Sequence, residues 1–188
     1  MMWNLPTFVE IDEKEYNIRN KCDYRVVLDV ISALNDEELE IGNRIRCALF
    51  IFYEDLTDCT DFETATKEMM KIVNNGDEES EQEQSNKPQL MDWQHDFSQL
   101  APPISRVLGY SVRDSNRYTH WYDFVGAYME IGECTFSNMV SIRSKRQKGK
   151  KLEKWEEDFY RENRSKIDLP QKYSREEKDF FDNFLVNT

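Results

Sequence analysis

His120 and Asp123 stand three residues apart in RYTHWYDFVGAYM (Arg117 to Met129), the stretch densest in side chains able to do chemistry. On a helix that spacing lets an imidazole touch a carboxylate. A hydrolase triad also needs a nucleophile on a sharp strand-to-helix turn, and the chain has no G-x-S-x-G run to supply one. The other histidine is His95, and the cysteines Cys22, Cys47, Cys59 and Cys134 form no C-x-x-C pair. Two histidines and four scattered cysteines do not match zinc-ligand spacings. No glycine-rich phosphate loop is present. Carboxylates are so frequent that a pair of them marks nothing. The residue types therefore point to a protein that is not an enzyme and that uses no metal and no cofactor.

The remaining chemistry is of contact. Trp121, Phe124, Val125 and Tyr128 recur at i, i+3, i+4 and i+7, which is one helix face. Such a stripe is buried in a core or lies against a partner. The second candidate is the basic run RSKRQKGKKLEK, Arg143 to Lys154, with seven cations against Glu153. A run of this kind is an electrostatic footprint for phosphate. The net charge is −12, however, so the rest of the chain carries −18 and repels nucleic acid over most of its surface. Acids follow the run at once in EKWEEDFYRE, so it reads equally as a solvated junction between helices, or as a contact for an acidic protein segment. Met69, Met70, Met91, Met129 and Met139 could adapt to varied partners, although methionine serves cores as well.

The elements that must carry these residues are mostly helical. Only six glycines and a charged fraction of 33% favour helices over a turn-rich β fold, and 13% aromatics argue against a wholly disordered chain. TFVEIDEKEYNIR alternates as a short β-hairpin. Helices are expected in DYRVVLDVISAL with Asp23 as cap, in NDEELEIGNRIRCALFIFYEDL with Asn35 as cap, and in TDFETATKEMMKIVNNG with Thr60 and Glu63 as a capping box. Asn74 to Pro88 holds no hydrophobic residue and reads as a disordered acidic linker. LMDWQHDFSQL then carries Trp93, Phe97 and Leu100, with Pro102 and Pro103 expected to end or kink it. ISRVLGY adds turns that stop at Gly109. Further helices are expected after Thr119, after Thr135, through Leu152, Trp155 and Phe159, and after Ser174. The expected fold is mainly α: a helical domain with a small N-terminal hairpin, in two helical halves. Residues 1–73 hold the hairpin and the first helices, 74–89 the linker and 90–188 the second helical region. The opening MMWNLPTFVEIDEKE has neither a basic start nor an apolar run, so reduced thiols in a cytosolic chain are expected. No apolar run is long enough for a membrane span.

THWYDFVGAYMEIGECTFSNMVSIRSKRQKGKKLEKWEEDFYRENRSKIDLP resembles the bacteriophage Gp15 family of long-tailed phages and prophages of Gram-positive hosts. The family's His-Trp-Trp or similar step, its two following phenylalanines and its basic helix correspond to His120, Trp121, Tyr122, Phe124, Phe136 and Arg143. The hairpin, the acidic middle and DFSQLAP (Asp96 to Pro102) match in order. The chain departs at Glu13, where a turn glycine is common, and at Tyr122, where the second tryptophan stands. The resemblance implies a tail assembly chaperone in the host cytoplasm that coats the tape-measure protein before the tail tube polymerises. It brings no catalytic residues. Its implied partners are the tape-measure protein and the major tail protein, with self-association possible in principle. The candidate partner-binding residues are then Trp121, Phe124, Tyr128 and Phe136, either as the groove or as the support beneath it, with Arg143, Lys150 and Lys151 from the basic run. The rival function is a nucleic-acid-binding phage protein that uses residues 143–154.

Overall fold

The structure is a computed structural model that describes residues 4–76 and 89–170. The alternating N-terminal stretch forms an antiparallel pair, β1 (Phe8–Ile11) and β2 (Lys14–Asn17), with Ile11 opposite Lys14. Val9, Ile11 and Tyr16 face inward and are buried, so the period-2 pattern sets the register. The two-residue turn places Asp12 and Glu13 at φ +51° and +63°. That is the backbone of a primed hairpin turn, reached without the glycine that usually relieves it. After β2, a 3-10 turn at Arg19–Lys21 redirects the chain.

Helix α1 (Tyr24–Leu34) starts where Asp23 accepts a hydrogen bond from the Arg25 amide, as its sequence indicates. Helix α2 (Ile41–Phe52) starts later than expected. Asn35 closes α1 instead of opening α2, and Asp36 turns the chain by accepting from the Glu38 amide. A short polar side chain competes for local backbone groups, which favours such a turn over a long helical entry. The end of α2 is satisfied by Arg19, whose guanidinium donates to the carbonyls of Phe50, Ile51 and Tyr53. Helix α3 (Phe62–Val73) is capped by Asp61, not Thr60, through the Thr64 amide and hydroxyl.

Helix α4 (Trp93–Leu108) corrects the largest expectation: it runs through Pro102 and Pro103 and ends at Gly109, whose φ is +76°. Proline cannot donate to the carbonyls of Ser98 and Gln99. Ser98 is exposed and Gln99 is only half-buried, so water can reach that side of the helix. Leu100, Ala101, Pro103 and Ile104 bury the opposite side. Helix α5 (Trp121–Met129) is capped by His120, not Thr119, and α6 (Thr135–Gln147) starts one residue earlier than expected, at Thr135 itself, with Cys134 in the cap position. Helix α7 (Lys154–Ile167) closes the described chain. The helix expected after Ser174, and residues 77–88 of the expected linker, lie outside the described residues. Asn74, Asn75 and Gly76 form the turn that ends α3.

The protein is thus mainly helical with one small hairpin. Its main core draws on both halves of the sequence, from Val9 and Ile11 to Phe124 and Phe136. Two backbone links pin α5 to the first half: Tyr24 N–H to the Thr119 carbonyl and Trp121 N–H to the Cys22 carbonyl, both 2.9 Å. A smaller cluster of Met139, Ile142 and Ile167 joins α6 to α7. Among the described residues no helix is long and apolar enough to cross a membrane.

Candidate functional site

His120 does not pair with Asp123. Its Nδ1 accepts from the Tyr122 amide at 3.0 Å, and its Nε2 lies 3.0 Å from the Pro6 carbonyl. With Nδ1 accepting and Nε2 facing a carbonyl, the geometry matches the tautomer that carries its proton on Nε2. The imidazole is wholly buried and works as a helix cap, while Asp123 is exposed. Burial pushes the Cys22 thiol up to about 12, which leaves it an inert core side chain. Among the described residues no group of three or more His, Cys, Asp or Glu side chains is placed to hold a metal.

The aromatic stripe lies inside. Trp121, Phe124 and Phe136 are buried and Tyr128 is half-buried. Phe124 stacks on Tyr24, with ring centres 4.3 Å apart. Trp93 reaches Trp121, Phe124 and Tyr128 at 5.9, 5.7 and 5.2 Å. Trp121 also donates its indole N–H to the Val73 carbonyl at 3.0 Å. The stripe therefore supports a second aromatic layer, Tyr24, Trp93 and Phe97, from beneath.

That second layer borders an open groove of about 1440 Å³ between α1, the α1–α2 turn and the start of α4. Leu28, Ile31, Ile51, Met91, Trp93 and Phe97 contribute its apolar walls, each only half-buried. Its acids are Asp29, Asp36, Glu37, Glu38 and Asp92, against Arg25 and Arg113. Half-buried apolar walls under an acidic rim leave this groove with apolar area still to bury.

A family model described as Bacteriophage Gp15 protein matches residues 1–169, which span every described element. The chain belongs to the bacteriophage Gp15 family. No curated protein and no solved structure matches it. Family membership makes it a bacteriophage protein and points to a structural or morphogenesis role.

In this Gp15 protein the basic run is divided. Arg143 is buried and grips both oxygens of Asp96 at 2.7 Å, and it also donates to the carbonyls of Leu90, Lys166 and Ile167. Lys145 pairs with the buried Glu156, and Arg146 pairs with Asp168 while lying over the Tyr160 ring. Lys148, Lys150, Lys151 and Lys154 are exposed and meet no partner among the described residues. Of the methionines, Met69 and Met139 are buried, Met129 is exposed and Met91 borders the groove. The sequence marks the supporting layer more clearly than the groove it supports. Leu28, Ile31, Trp93 and Phe97 carry helix periodicity, but a half-buried position shows the same spacing as a buried one.

Proposed function

We propose that this Gp15 protein is a non-enzymatic tail morphogenesis protein that works in the host cytoplasm as a chaperone for the tape-measure protein. The observation that supports the reading is the groove, whose apolar walls are left half-buried beside a rigid aromatic layer. A tape-measure protein is largely helical and exposes apolar faces before the tail tube encloses it. A helix laid in such a groove buries those faces. Met91 adds a side chain that can adapt to different residues along a long client. The net charge of −12 keeps the loaded complex soluble. The major tail protein is the next partner, met when the tube polymerises on the coated client. Co-expression with the tape-measure protein tests the proposal: a soluble complex is expected. An insoluble tape measure, with no complex formed by the folded Gp15 protein, rejects it.

Exposed Lys148, Lys150, Lys151 and Lys154 favour one second reading, nucleic-acid binding. It requires DNA binding that falls steeply with salt and weakens in Lys150→Glu/Lys151→Glu. No binding at low salt removes it.

A further inference from the structure

We infer that the groove selects a basic amphipathic helix and fixes its direction, an inference that rests on the chaperone reading for its biological client. The acids of the groove outnumber its arginines five to two. Asp36 and Asp92 are used locally, one in the α1–α2 turn and one as the α4 cap. Asp29 is exposed and Glu37 half-buried, and neither has a partner among the described residues. An apolar stripe that enters this groove therefore brings its flanking side chains beside unpaired carboxylates. Lysine or arginine there is attracted and glutamate is repelled. The whole-molecule charge of −12 attracts the same basic segment at long range and opposes a second copy of this chain.

Direction follows from the charge at the two ends. Arg113 lies over the Phe97 ring, and Phe97 faces Tyr24 at the start of α1. Asp36, Glu37 and Glu38 lie beyond the other end of α1, about 16 Å away at 1.5 Å per residue. A helix has partial positive charge at its N-terminus and negative charge at its C-terminus. The bound helix therefore points its N-terminus at residues 36–38 and its C-terminus at Arg113.

The test uses the full chain and a fluorescein-labelled helical peptide with leucines at i, i+3, i+4 and i+7 flanked by lysines. A matched peptide carries glutamate in place of every lysine. Saturable binding of the lysine peptide is expected by anisotropy, with the glutamate peptide at least about tenfold weaker. Asp29→Lys/Glu37→Lys weakens the lysine peptide by a similar factor. Glu157→Lys/Glu162→Lys, an equal charge change on exposed α7 positions, leaves it unchanged. A nitroxide at the peptide N-terminus broadens the amides of residues 36–38, and one at the C-terminus broadens those beside Arg113. Equal binding of the two peptides, equal effects of the two double variants, or the reverse broadening pattern overturns the inference. So does a salt-sensitive dimer in sedimentation that Asp29→Lys/Glu37→Lys abolishes, because the groove's occupant is then a second copy. The underlying reading fails separately: the lysine peptide can bind while no tape-measure complex forms. Conversely, a tape-measure complex unaffected by Asp29→Lys/Glu37→Lys removes the groove and keeps the chaperone.

Discussion

Trp121 is 2% exposed, and its indole N–H meets a carbonyl at the last residue of α3. Its removal therefore opens a cavity and also orphans a backbone acceptor. Trp121→Ala is expected to cost about 3–5 kcal/mol in denaturant unfolding. Trp121→Phe keeps most of the ring and loses the hydrogen bond, so it should cost far less, with about 1 kcal/mol for the bond itself. Equal losses in the two variants would contradict the geometry. Arg143 makes a sharper case. Removing it leaves the Asp96 carboxylate buried and without its cation, together with three carbonyls that lose their donor. Arg143→Ala is expected to destabilise by about 3–5 kcal/mol. Arg143→Met/Asp96→Leu removes the stranded charge and should recover part of that loss. A double variant less stable than Arg143→Ala would show that the stranded charge is not the main loss and that the bond Asp96 accepts from the Asp92 amide outweighs it.

At the scale of elements, most helices were legible in the sequence because their apolar spacing and capping residues agree. The caps of α3, α5 and α6 each shift by one residue, since Thr60, Thr119 and Thr135 stand beside Asp61, His120 and Cys134, and only the tertiary setting decides between neighbours. His120 is the clearest instance: it caps α5 because the Pro6 carbonyl holds its other nitrogen. The passage of α4 through two prolines was not legible, because burial on the far side of that helix outweighs a local breaker. The pairing of α7 with α6 makes a prediction of its own. Hydrogen bonds from Lys145 and from the Glu153 backbone hold the Glu156 carboxyl below its ordinary range. Burial pushes the Asp168 carboxyl up, but Arg164, Tyr160 and Arg146 together outweigh it and lower it. A carboxyl depressed in the folded state stabilises fully above its unfolded value of about 4, and that contribution is lost as pH falls through the folded value. Amides of α7 should therefore lose exchange protection before those of α1 as pH falls below about 4. Simultaneous loss in both helices would show that these two carboxyls do not control the attachment.

For the molecule as a whole, described residues on both sides of the polar segment share one core. Residues 1–73 and 90–188 look like separate helical halves on either side of a polar segment, and the groove was invisible because its walls come from both. Long-range contact leaves no local signature: Tyr24 stacks on Phe124 across a separation of a hundred residues, and the Tyr24 hydroxyl donates to the Val112 carbonyl at 2.7 Å. Asp23 likewise accepts from the Thr119 amide, and Trp121 reaches Val73. A core shared in this way cannot be completed by either half. Fragments 1–76 and 89–188, made separately, are each expected to lack a cooperative thermal transition, since each exposes the apolar face that its counterpart buries. Mixed at equal concentrations, they should associate and recover one cooperative transition. The tryptophan near-ultraviolet circular dichroism should return with it, because the Trp121 indole is held against Val73 of α3 only in the complex. Two fragments that each unfold cooperatively and do not associate would mean that the halves are independent, and that the groove is not a product of their joint core.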